Sequence, residues 1–251
     1  MRRVRALSDW IVPDWPAPAR VRAISTTRRG GVSRGPWAGF NLADHVGDDP
    51  QAVTANRLTL REALALPAGP TWLRQVHGCT VADASGRPGC NADAAFADRP
   101  GIVCAVLTAD CLPVLLCNRA GTRVAAVHAG WRGLAAGVVE RALDRVGHDP
   151  ADILAWLGPA IGPQAFEVGP DVLAAFTESD PGAEVCFRPL AGRQRWLADL
   201  YGLARRRLKA RGISAVSGGE LCTYSDPVRF YSYRRDGETG RMATLIWLDA
   251  N

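Results

Sequence analysis

The stretch GIVCAVLTADCLPVLLCNRAGTRVAAVHAGWRGLAAGVVE, residues 101–140, decides the fold. Residues 102–107 and 112–117 are continuous apolar runs rich in Val, Leu and Ile. That is the pattern of strands buried on both faces. The short break Thr108-Ala109-Asp110-Cys111 joins them, and residues 123–127 form a third buried run that ends at His128. From Leu134 the period changes: Leu134, Val138, Val139, Ala142, Leu143 and Val146 share one helical face, with Glu140, Arg141, Asp144 and Arg145 opposite. Gly147 supplies a C-terminal stop.

Working outward, residues 20–26 alternate as a strand, and residues 27–49, rich in Gly, Asn and Asp, read as a long loop. Loops of that length in compact domains are usually functional or disordered. Residues 52–66 have helical spacing, and residues 71–76 are expected to be a short strand delivering His77 to a turn. Beyond the central stretch come a strand at 153–157, the turn GPAIGP, and helices at 171–178 and 197–211. The polar face of the second helix, with Arg205, Arg206, Arg207 and Lys209, reads as solvated. Residues 230–233 and 242–248 close the chain as strands. Strands and helices intermix without regular βα alternation. The expected fold is therefore a mixed-sheet α/β (α+β type) layered domain, not a barrel or a doubly wound sheet.

The chain has 251 residues, 47% hydrophobic and 22% charged, values that suit one globular domain, 1–251, and exclude a disordered, collagen-like or coiled-coil chain. Residues 1–18 are expected to be a less ordered N-terminal segment. The net charge is +5, carried almost wholly by Arg, with Lys209 the single Lys. The basic residues are spread along the chain rather than clustered with aromatics, which argues against a nucleic-acid surface. Seven Cys, an odd number without a CxxC, read as the usage of a reducing compartment. The basic start MRRVRALSDWIVPDW lacks an apolar core, so no signal peptide is expected. The most apolar stretch, 102–117, contains Asp110 and Pro113 and is too short to span a bilayer. A cytoplasmic soluble protein is expected.

The chemistry rests on few residues. Of the four His, His148 lies in an Asp/Pro loop, His77 follows a strand in RQVHG, His128 ends one in VAAVHAGWRG, and His45 sits in the long loop. Cys111 lies at a corner between two buried strands, whereas Cys104 and Cys117 lie inside them and read as small core residues. His77, Cys111 and His128 are enough for a three-ligand zinc site that leaves a position open, drawn from separate segments as a cleft requires. A buried inert thiol and structural His are the plainer alternative. The turn His-Ala-Gly-Trp-Arg-Gly into the next helix, with Arg132, suits an anion such as phosphate. Arg28 and Arg29 form a second Gly-flanked basic loop, and SYRRDGETGR holds three further Arg or is simply a polar hairpin.

The segments TTRRGGVSRGPWAGFNLADHVGDDP, RQVHG, PGIVCAVLTADCLPVLL, VAAVHAGWRGLAAGVVE, LGPAIGPQAFEVG and CTYSDPVRFYSYRRDGETGRMATLIWL occur in this order. Together they resemble the family once described as laccase-domain or multicopper polyphenol oxidase proteins and now as purine nucleoside phosphorylases, from about residue 24 to 248. The resemblance implies a layered α/β/β/α sandwich and a zinc ion held by His77, Cys111 and His128. It implies phosphorolysis of adenosine, guanosine, inosine and methylthioadenosine, with adenosine deamination beside it. Arg28 and Asn41 are similar to the family's substrate-contacting positions, and His45 and Arg132 join them as expected substrate-binding residues. Phe166 stands where many members carry Tyr. The expected partners are purine nucleosides and phosphate, with a monomer, no nucleic acid and no membrane.

A multicopper oxidase builds its copper sites largely from His, and four His in the whole chain cannot supply that set. A single copper in place of zinc is the remaining copper option. The runner-up activity is a metal-free cysteine hydrolase or amidase acting on cell-wall precursors, with Cys111 as nucleophile and a neighbouring His as base. A non-catalytic binding or redox-partner protein is the third reading.

Overall fold

The computed structural model describes residues 9–86 and 88–250. In chain order it contains β1 (Val21–Ser25), α1 (Pro50–Ala63), β2 (Val81–Asp83), β3 (Ala94–Ala97), β4 (Val103–Thr108), β5 (Leu112–Asn118) and β6 (Val124–Ala129). There follow α2 (Trp131–Ala135), α3 (Val138–Val146), β7 (Ile153–Leu157), β8 (Glu167–Val168), α4 (Pro170–Thr177), β9 (Phe187–Pro189) and β10 (Trp196–Ala198). Last come α5 (Leu200–Ala210), β11 (Val216–Gly218), α6 (Tyr233–Asp236) and β12 (Met242–Leu248). Residues 1–8, the start of the segment expected to be less ordered, lie outside the described residues. From residue 9 onward that segment follows the fold: Trp10 is buried, and Ile11 exchanges backbone hydrogen bonds with Ser25.

A mixed six-stranded sheet runs β11-β7-β5-β6-β3-β2, and a three-stranded antiparallel sheet runs β1-β12-β4. A small third sheet has the order β8-β10-β9. The strand alternation sorts side chains into layers. Leu112, Val114 and Leu116 of β5, with Ala125, Val127 and Ala129 of β6, face the core beneath α3 and α5. Their alternates Leu115, Cys117, Val124 and Ala126 face Cys104, Val106, Ile246 and Leu248 of the smaller sheet. That sheet's outer face, Val103, Ala105, Leu107, Leu245 and Trp247, packs on Leu60 of α1 and on Phe40 and Leu42 of the long loop. The layers are therefore helices, sheet, sheet, and helix with loop. Apolar runs without alternation in β4, β5 and β6 are explained: both faces of each strand are buried.

Four local expectations need correction. Residues 71–76 form only isolated bridges, Thr71 to Cys104 and Arg74 to Asn91. The Gln75 side chain replaces the missing ladder, accepting from Leu107 N at 2.7 Å and donating to Leu107 O at 2.8 Å. Residues 230–233 are not a strand either. Phe230 and Tyr231 are buried beside Ala109 and Met242, and Ser232 caps α6 by accepting from Arg235 N. The helix expected at 197–211 starts at Leu200 behind an Asp199 cap, because Leu197 pairs with β8 and β9. Half of its charge run is tied down as well: Arg206 bonds Asp180 at 2.7 Å and Arg207 bonds Glu140 at 3.2 Å, while Arg205 and Lys209 are exposed as expected.

The corner between β4 and β5 is where the two main sheets meet along the chain. β4 belongs to the small sheet and β5 to the large one, so the backbone from Thr108 to Cys111 crosses between layers. No helix among the described residues is long and apolar enough to cross a membrane.

Candidate metal centre

The site is organised by a buried carboxylate, Asp93, just before β3. Its Oδ1 accepts from His77 N at 2.9 Å and is 2.8 Å from His128 Nδ1, while Oδ2 accepts from Val76 N at 3.2 Å and Gly78 N at 2.7 Å. Burial acts to raise the Asp93 carboxyl, but the His128 bond and the backbone N–H groups of Gly78 and Val76 outweigh it and hold it below its ordinary range. Three successive N–H groups converging on one carboxylate bend the chain into a nest. His77 sits in that bend with φ 59°, a left-handed conformation that non-glycine residues adopt at a cost. This nest is why the sequence before His77 does not run on as a strand.

His128, on β6, is buried, and Asp93 engages its Nδ1. The ring therefore presents Nε2, the arrangement in which a carboxylate fixes a metal-binding imidazole. Cys111 closes the inter-sheet corner. Asp110 before it has φ 93°, and its side chain accepts from Thr223 Oγ1 at 2.6 Å, Ser232 Oγ at 3.0 Å and Arg234 N at 2.7 Å. Its carbonyl accepts from Ile161 N at 2.9 Å. Those bonds hold the strained residue that aims the thiol.

Cys111 Sγ lies 3.9 Å from His77 Nε2, and the two imidazole centroids are 4.9 Å apart with rings inclined at 75°. One donor atom from each of His77, Cys111 and His128 lies within 4.8 Å of the others. Donors around a tetrahedral zinc stand about 3.3–3.8 Å apart, so small side-chain adjustments would close the set on an ion. The donor chemistry also fits. Burial acts to raise the Cys111 thiol, but the charge of His128 and the bonds to both imidazoles bring it down to about 6. Burial acts to lower His128, but the Cys111 thiolate and Asp93 raise it. By contrast burial pushes Cys104 up, and it pushes Cys117 up to about 12. The expectation that these two are core thiols agrees with their full burial.

Gly130 ends the cluster. A Cβ there would lie 3.0 Å from both Cys111 Sγ and His77 Cδ2, and one on Gly133 would lie 2.7 Å from Gly78 O. The two glycines let α2 sit directly against the His77 loop.

The other expected site residues are placed differently. Arg28 stacks 4.6 Å over the Tyr231 ring and donates to Pro227 O and Ala38 O. Asn41 is fully buried, with Nδ2 on Ala43 O and Asp48 Oδ2 and Oδ1 accepting from Ala43 N and Arg241 N. Its amide braces the loop, with both polar atoms bonded within the chain. His45 is exposed, beside Asp44 at 3.5 Å, and outside the three-ligand group. Arg132 is exposed and stacks 4.4 Å over Trp131. The helix it opens, α2, is only five residues long and is separated from α3 at Gly137, so the helix expected to cradle an anion is shorter than its period suggests. His148 is exposed. Sequence reasoning missed Asp93 as a positioning residue; its signal is a carboxylate flanked by small residues at the mouth of an apolar strand.

Residues 22–249 match the family model described as multi-copper polyphenol oxidoreductase laccase. The chain is 55% identical over 242 residues to purine nucleoside phosphorylase PA4543 of Pseudomonas aeruginosa, covering 96% of this chain and 99% of the relative. It is 53% identical over 244 residues to purine nucleoside phosphorylase YfiH of Escherichia coli, covering 96% and 100%. Among solved structures, protein NMB0706 of Neisseria meningitidis superposes with a TM-score of 0.92 at 49% identity, covering 96% of this chain and all of that one. YlmD of Geobacillus stearothermophilus superposes with a TM-score of 0.88 at 31% identity, covering 96% of each.

Proposed function

This chain belongs to the multi-copper polyphenol oxidoreductase laccase family, whose model spans nearly all of it, and we propose that it is a zinc-dependent purine nucleoside phosphorylase. The observation that carries the reading is the convergence of His77, Cys111 and His128 within 4.8 Å, in a chain whose relatives of 53–55% identity bear the phosphorylase name. The oxidase wording does not suit the residues: His45 and His148 stand apart from the cluster, and no set for several coppers remains.

His77 and His128 through imidazole nitrogen and Cys111 through its thiolate would hold the ion, zinc being favoured by one sulfur and two nitrogens, with copper as a substitute. When bound, the ion would supply a Lewis acid and an activated water in its open position. The residues do the rest. Asp93 keeps the His128 proton on Nδ1 and fixes the His77 loop. Asp110 aims Cys111, and the Gly130 edge leaves room beside the donors. In phosphorolysis a phosphate oxygen bonds to the sugar C1′ as the C1′–N9 bond breaks. The bonding pair leaves on the purine, which takes one proton; the products are ribose 1-phosphate and base. Adenosine, guanosine, inosine and methylthioadenosine are the proposed substrates. Deamination of adenosine, in which water adds at C6 and ammonia leaves, is proposed as a side activity of the same centre. Arg28, His45 and Arg132 are proposed as substrate-facing groups. The protein is proposed to act as a cytoplasmic monomer that binds neither nucleic acid nor membrane.

A nucleoside panel with and without phosphate, read by chromatography, tests this. Stoichiometric base and ribose 1-phosphate that require phosphate support it, and base release indifferent to phosphate counts against it.

A second reading has its own observation. Cys111, held low beside His128, which in turn bonds Asp93, has the connectivity of a Cys-His-Asp hydrolase. Amide hydrolysis surviving exhaustive chelation would favour that reading.

A further inference from the structure

We propose that Arg241 is the residue that holds the phosphate beside the His77, Cys111 and His128 cluster. The inference rests on the phosphorylase reading for the identity of the anion, and on the structure for its place. Met242 pairs with Thr108, so Arg241 stands at the end of β12 next to the corner that carries Asp110 and Cys111. The negative charges of Cys111 and Asp110 both act on its guanidinium. Asp110 nevertheless does not pair with it, because both carboxylate oxygens are taken by Thr223, Ser232 and the Arg234 amide.

The guanidinium is anchored by one nitrogen only. Nη1 donates to Thr239 O at 2.8 Å and Gly240 O at 3.0 Å, and the backbone N is fixed by Asn41 Oδ1 at 2.9 Å. No carboxylate forms an ion pair with Arg241 among the described residues. Nε and Nη2 keep the fork that binds an oxyanion with two parallel bonds. A partly buried guanidinium with no carboxylate bonded to it is costly, and an anionic ligand that meets its open nitrogens lowers that cost. Three competing arginines are committed, whereas Arg132 is exposed and stacks only on Trp131 among the described residues. Arg28 spends both terminal nitrogens on carbonyls, Arg235 binds Asp236 and the carbonyls of Thr223, Tyr224 and Phe230, and Arg229 binds Asp226. Asn41, expected from sequence to touch substrate, becomes a positioning residue for Arg241.

The test compares wild type, Arg241→Gln and Arg241→Lys, each checked for bound zinc. Two readouts are taken: the rise of Tm with inorganic phosphate, and the phosphate KM at saturating inosine. R241Q is expected to keep its zinc, lose the phosphate-induced rise, and raise the phosphate KM by about ten- to a hundred-fold, with the inosine KM within about threefold. R241K is expected to fall between, because an ammonium replaces a fork by a point charge. Unchanged phosphate KM and Tm response in zinc-loaded R241Q would overturn the assignment. If R241Q does not fold, R241K decides: a wild-type phosphate KM there overturns the bidentate contact. Wild type that is stabilised by phosphate through Arg241 yet cleaves no nucleoside would sink the phosphorylase reading and leave the anion site standing.

Discussion

Asp93 receives three backbone N–H groups and one imidazole on two oxygens. Replacing one oxygen by an amide NH₂ turns acceptors into a donor facing donors, so Asp93→Asn should cost roughly 2–3 kcal/mol of stability. Because the same atoms orient His77 and His128, zinc affinity should fall by about ten- to a hundred-fold. Calorimetry of metal binding to the folded variant checks this; wild-type affinity would show that the imidazoles are held by something else. The titration of the pair gives a second expectation. The Cys111 thiol lies at about 6 and His128 at about 9, so between those values the metal displaces the His128 proton and none from the thiol. The raised imidazole makes proton competition disappear above about 9, and the lowered thiol adds a further proton below about 6. Apparent zinc affinity should therefore climb at least tenfold per pH unit across that window and flatten above it. A flat profile from 6 to 9 would contradict the ion pair.

At the scale of elements, the turn from β6 into α2 brings the parts together. Gly130 has φ −62° and ψ 157°, which alanine adopts freely, so a substitution there acts through space and not through the backbone. Gly130→Ala would press on the Cys111 and His77 side chains. It should weaken zinc binding by about tenfold or more while moving the metal-free Tm by only a few degrees. Zinc affinity equal to wild type would mean that the ligands have room to move away from β6 without losing the ion. Much of this level was legible in the chain. The apolar runs of β4, β5 and β6 were unmistakable because burial on both faces removes alternation. Residues 71–76 and 230–233 misled because they carry strand-like composition, while Val76 N bonds the Asp93 carboxylate, the Gln75 side chain bonds the Leu107 backbone and Tyr231 N meets the Met242 sulfur. Such long-range side-chain partners leave no local period.

At the scale of the molecule, two sheets packed face to face place Cys111, on the corner between them, beside His128 of β6 and the His77 loop. The three donors were legible as residue types at strand ends and a corner. Asp93, Asp110 and Arg241 were not, since each acts through partners dozens of residues away. Asn41 and Arg28 were legible as important positions, but their side chains brace the loop against Arg241 and Tyr231. The layered arrangement predicts that the metal is a late addition to a finished scaffold, held by three side chains from separate segments. Cys111→Ala should then keep the wild-type circular dichroism spectrum while losing the ion.

The most direct measurement titrates metal-free protein with zinc in phosphate buffer and follows hypoxanthine released from inosine. Activity should rise linearly and break at about one equivalent, with ribose 1-phosphate formed in step, and C111A should stay flat at every zinc concentration. Full activity in exhaustively chelated protein, or in C111A, would contradict the account.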